Sequence, residues 1–167
     1  MKKILSLTLA LAMIGTFLTG CGSKNDVSEA PAENTQQTAP VRQEQSQTEK
    51  ALALINTFAT GDTDTARSLL SDGYIQHNLA YGTGADAFIG SVEYLASADV
   101  KTTVNNIRAF EDGDKVFLQT IYNFAGAGEQ VAFDIFRFDE NGKIAEHWDV
   151  METIADQSTW QNQNGKF

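Results

Sequence analysis

The chain has 167 residues, a net charge of −10 and one cysteine. That length suits one domain with flanking segments. The acidic balance repels phosphate backbones and anionic headgroups, so nucleic acid is excluded as a partner and any membrane attachment has to come from lipid. A lone cysteine leaves no internal disulfide and no thiolate metal site.

The first segment reads as an export signal. Lys2 and Lys3 form a basic start, and Ile4 to Phe17 is an apolar run too short for a comfortable membrane span. Leu18-Thr19-Gly20-Cys21 follows directly. Small residues before a cysteine at this place resemble the lipobox of bacterial lipoproteins. The resemblance implies cleavage before Cys21, lipid on its thiol and new amino group, and a domain held outside the cytoplasm at the cell envelope. The alternative is an ordinary secretory signal with cysteine at its cleavage site. Loss of residues 1–20 removes Lys2 and Lys3 and no acid, which takes the net charge from −10 to −12. Residues 22–47 are small and polar and hold both prolines, Pro31 and Pro40. They bury too little surface to offset their ordering entropy, so residues 21–47 read as a lipidated cysteine and a disordered tether.

The domain is expected over residues 48–152. Ala51, Leu52, Leu54, Ile55 and Phe58 recur at helical spacing, ended by Thr60-Gly61. Asp62 suits the cap of a second helix holding Ala66, Leu69 and Leu70. Ser71-Asp72-Gly73 reads as a turn and Tyr74 to Asn78 as a short extended piece. Ala85 to Ala96 reads as a third helix, with Phe88, Ile89, Val92 and Leu95 on one face. From Lys101 the period changes to two. Four strands follow, ending near Glu111, Phe124, Phe138 and Met151, with Asp112-Gly113-Asp114, Gly126-Ala127-Gly128 and Asp139-Glu140-Asn141-Gly142 between them. Helices followed by a meander define an α+β class, three helices packed on one face of a curved, mainly antiparallel sheet. Residues 153–167 read as a polar tail.

This order resembles the nuclear transport factor 2-like cone fold. Tyr74-Ile75-Gln76-His77-Asn78, Asp134-Ile135-Phe136-Arg137 and Gly142 to Val150 resemble the SnoaL-like group, named after a polyketide cyclase that performs an intramolecular aldol condensation. The resemblance implies a cone-shaped half-barrel with an enclosed pocket. The sequence departs from it at Leu79, where relatives often carry proline, and at Gln119, where they often carry histidine.

Strand alternation puts Asp134 and Phe136 on one face of their strand, and His147 and Asp149 on one face of the next. If that face is the pocket, Asp134 sits among aromatics in low dielectric, which favours its taking up a proton. It would then serve as a base toward a proton α to a carbonyl, with His77 or His147 donating to the enolate oxygen. Asn78, Gln119, Tyr122, Phe136, Trp148 and Asp149 are the candidate substrate contacts. No metal or cofactor is implied. The expected ligand is a small apolar or carbonyl compound, handled by lyase, isomerase or aldol-type chemistry. A non-catalytic module that binds a hydrophobic ligand or forms a homodimer is the alternative.

Overall fold

The computed structural model describes residues 44–167. The signal, Cys21 and most of the tether therefore lie outside the described residues. The first helix, α1 (Gln47–Thr60), opens on Ser46, whose hydroxyl accepts from the Glu49 N–H while the Glu49 carboxylate accepts from the Ser46 N–H. Gly61 closes it with φ +73°, and its N–H bonds the Thr57 carbonyl. Asp62 caps α2 (Thr63–Leu69), and α3 spans Ala85–Ser97.

Five strands follow the order β1-β5-β4-β3-β2: β1 (Leu70–Gln76), β2 (Thr103–Asp112), β3 (Lys115–Asn123), β4 (Gln130–Phe138) and β5 (Ile144–Thr153). The four long strands form the antiparallel meander that the period-two pattern requires. β1 adds a parallel edge beside β5. Leu70 is its first residue rather than the end of α2, and Ser71-Asp72-Gly73 lies within it rather than in a separate turn. Between the pairs Leu70↔Ile144 and Ile75↔Glu146, β1 advances five residues while β5 advances two. The extra backbone is accommodated as an irregular bulge, a feature that re-aims the side chains after it.

The helices cover the concave face. Ala51, Leu54 and Ile55 of α1 and Phe88, Ile89 and Val92 of α3 meet Val116, Leu118, Phe136 and Ile144 of the sheet. On the convex face the final residues return across β3 to β5. The Gln119 amide donates to the Lys166 carbonyl at 2.7 Å, and Lys166 Nζ reaches both carboxylate oxygens of Glu152 at 2.6 Å. The polar tail thus has defined partners. The Trp160 indole bonds the Ala155 carbonyl, while Phe167 stays exposed.

Candidate active site

One register line builds the site. Gln76 stands opposite His147 across the parallel β1–β5 edge, and the chain continues in step past the end of β1. Side chains that alternate along both segments therefore meet in pairs. Gln76 Nε2 lies 3.0 Å from His147 Nδ1. One step on and on the other face, His77 stacks on Trp148 with ring centroids 4.4 Å apart. One further step, back on the concave face, Asn78 Nδ2 donates to Asp149 Oδ1 at 2.6 Å.

The β4–β5 register supplies the rest. Asp134 pairs with Asp149 and Phe136 with His147, all on the concave face. Phe136 and His147 stack at 4.4 Å and 7°, which holds the imidazole plane. Two carboxylates directly opposite on antiparallel strands repel. Donors offset this: His147 Nε2 lies 3.2 Å from Asp134 Oδ1, and the Tyr122 hydroxyl donates to Oδ2 at 3.0 Å. Asp134 is 3% exposed and His147 6%, so this network is dry.

Backbone groups set its polarity. Gln76 Oε1 accepts from the Asn78 N–H at 3.0 Å, which turns Nε2 toward His147 as a donor. His147 Nδ1 is then the acceptor, and the ring proton sits on Nε2 facing Asp134. Asn78 Oδ1 accepts from the Ala80 N–H, which turns its amide nitrogen toward Asp149.

These groups open into a cavity of about 660 Å³. Tyr74, Phe88, Tyr122, Phe124 and Phe136 are among its walls, and Gln76, Asp134, His147 and Asp149 form its polar side. This is the usual make-up of a small-molecule site, mostly apolar with a few convergent polar groups. Burial, then the negative charge of Asp149 and Asp134, pushes the Tyr74 hydroxyl up. Burial, then the charge of Asp134 and the hydrogen bond to it, pushes Tyr122 well up. Both hydroxyls therefore stay protonated donors at neutral pH.

Asp134, His147, Tyr122, Phe136 and Asp149 are brought together on the cavity, and Asn78 supports Asp149 from beside it. Three other candidates are placed elsewhere. Gln119 pairs with Phe133 and faces the convex side, under Lys166. Trp148 pairs with Ile135 on that side too, and His77 lies on it. The His77 ring bonds Glu146, which also takes the Arg137 guanidinium. The hydrogen bond from His77, then that from Arg137, holds the Glu146 carboxyl below its usual range. Strand parity excludes all three from the cavity. Gln76 and Tyr74 are site residues that the sequence reading passed over, although they stand in the Tyr74–Asn78 stretch that carries the family resemblance.

Asp134, His147 and Asp149 also offer ligand atoms within 4.8 Å of one another. Both His147 nitrogens, however, are already engaged in hydrogen bonds.

A curved sheet covered by helices, with a buried carboxylate–imidazole pair facing the cavity between them, defines an α+β cone with a small-molecule pocket. The chain belongs to the SnoaL-like domain family, whose model matches residues 51–147. Solved structures share the fold at low identity. An NTF2-like protein of unknown function from Cytophaga hutchinsonii is 16% identical with a TM-score of 0.57, covering 66% of this chain and 94% of its own. An M. tuberculosis LEH-like epoxide hydrolase is 18% identical with a TM-score of 0.54, covering 62% and 80%. IdmH from Streptomyces antibioticus, a candidate polyketide cyclase, is 18% identical with a TM-score of 0.52, covering 65% and 93%. No curated protein matches the chain.

Proposed function

We propose that the pocket performs cofactor-free proton transfer on a small carbonyl compound, with Asp134 as the base. The observation that carries this is the Asp134–His147 pair at 3.2 Å, buried at the polar side of a mostly apolar, aromatic-rich cavity. Asp134 takes the α-proton while the electron pair moves onto the carbonyl oxygen. His147 and Tyr122 hold the carboxylate in place. Tyr74 is the donor best suited to the enolate oxygen: among the described residues its hydroxyl accepts from Gln76 at 3.3 Å and gives its own proton to no one. Neither histidine takes the donor role, because His77 faces away and the Nε2 proton of His147 is committed to Asp134. Return of the proton at another carbon gives isomerisation, and attack of the enolate on a second carbonyl gives aldol closure. The descriptions of the epoxide hydrolase and of IdmH are consistent with a chemically active pocket on this fold.

The test is exchange of the α-protons of β-tetralone in heavy water, followed by proton NMR with the wild-type chain and with Asp134→Asn. A general base contributes about a hundredfold or more. The variant should therefore lose about that factor. Equal exchange by both proteins would remove Asp134 from the chemistry and leave ligand capture as the working account.

The reading extends to location. The lipobox-like Leu18–Cys21 stretch supports a lipid on Cys21 that tethers the domain outside the cytoplasm. The apolar convex face supports a homodimer.

A further inference from the structure

The charge around the cavity is one-sided. Asp134 and Asp149 open into it, and among the described residues no Lys or Arg lines it. The two carboxylates are not equivalent. Asp134 has a donor on each oxygen. Asp149 accepts from Asn78 on Oδ1, and no described residue donates to its Oδ2. That open oxygen stands in a cavity whose other walls include Tyr74, Tyr81, Phe88, Tyr94 and Phe124. A carboxylate beside aromatic faces attracts a cation twice, by direct charge and by the ring quadrupoles. An anion entering the same space meets two negative groups with nothing to offset them. The net charge of −10 adds a field of the same sign.

We infer that the pocket takes an apolar organic amine, its ammonium on Asp149 Oδ2 and its hydrocarbon body against the aromatic walls. Joined to the proton-transfer reading, on which this second step rests, the geometry narrows the substrate. Ligand atoms of Asp134, His147 and Asp149 lie within 4.8 Å of one another. An ammonium held on Asp149 therefore sets a neighbouring C–H against Asp134. The substrate class is an amine-bearing carbonyl compound, and carboxylates and phosphate esters are rejected.

The test is calorimetric titration of the purified full chain at neutral pH with three matched probes: β-aminotetralin, β-tetralol and tetralin carboxylate. The amine should bind at least about tenfold more tightly than the alcohol, and the acid should give no binding heat. Asp149→Asn keeps an acceptor for Asn78 but removes the charge. It should bring the amine down to the alcohol, with the circular dichroism spectrum showing that the variant is folded. An amine that binds no better than the alcohol, an acid that binds as well as the amine, or a preference that survives Asp149→Asn overturns the inference. The readout is binding alone. Loss of the preference with tetralone exchange intact sinks this inference only. Absence of exchange with the preference intact sinks the catalytic reading only.

Discussion

At the scale of single residues, the site is held by the partners of its buried polar groups. Opposed carboxylates, buried tyrosines and a dry imidazole are each unfavourable without partners, and here each has one. Tyr122 shows how the coupling reads out in pH. Its folded pKa is raised, chiefly by burial, as is that of Tyr74. An unfolded tyrosine ionises near ~10. Below that value both states are protonated, and the contribution to stability is fully present. As pH rises above it, the unfolded chain releases protons that the folded chain keeps, and stability falls. Urea midpoints should therefore begin to drop near about pH 10 and keep dropping above it. Tyr122→Phe should flatten that drop in part, since Tyr74 and Tyr81 are raised as well and remain. At neutral pH the same variant costs about 1.5–3 kcal/mol, the usual worth of a hydrogen bond to a charged group. An unchanged alkaline slope would mean that Tyr122 ionises as freely in the folded state as in the unfolded one.

At the scale of elements, helix ends and strand register decide where the site sits. Gly61 ends α1 at φ +73°, and a Cβ there would lie 2.8 Å from the Ala96 Cβ on α3. Gly61→Ala should cost about 1–3 kcal/mol through left-handed strain, plus the displacement of α3. Gly90, inside α3, has open space around the corresponding position. Gly90→Ala should be neutral or stabilising by up to about 1 kcal/mol. Thermal unfolding of the pair checks the opposite signs, and equal shifts would refute the close approach at Gly61. Much at this scale is legible in the sequence. Helical spacing from Ala51 to Phe58 and turn chemistry at Asp112-Gly113 and Asn141-Gly142 lead to the α+β class, and the family resemblance adds the cone. The parallel edge is not legible, because the Ser71–Gly73 bulge that sets it carries ordinary turn residues. Without that register, Gln76 has no visible link to His147. Parity has a further limit. It sorts side chains within one strand, but does not say that Gln119, Phe133 and Trp148 share the convex face, which needs the register between strands. The apolar neighbours of Gln119 look like pocket lining, yet it is the returning C-terminus that buries it.

At the scale of the whole molecule, the convex face and the N-terminus raise one linked question. Phe110, Phe117, Ile135 and Trp148 are successive cross-strand partners from β2 to β5. Phe133 and Val150 form a second cross-strand pair beside them, on the antiparallel β4–β5 ladder, and are exposed at 55% and 72%. A contiguous apolar band of this kind is unusual on a surface that meets only water. A second copy turned by a two-fold axis would cover it with the same residues. The tail sets the limit of that surface, because Lys166 already occupies the part over Gln119 and Glu152. Among the described residues no helix is long and apolar enough to cross a membrane. On the proposed lipobox reading, retention at a membrane depends on Cys21. Fractionation of cells making the wild-type chain or Cys21→Ser tests both points in sequence. The wild type should sediment with membranes and Cys21→Ser should appear in the soluble fraction. Ultracentrifugation of that soluble protein should give a dimer, and adding Phe133→Glu should give a monomer, because a charge within the covered apolar surface cannot be buried unpaired. A soluble wild type would argue for the ordinary secretory signal. A Cys21→Ser protein that is monomeric from the start would leave the band as surface for some other partner.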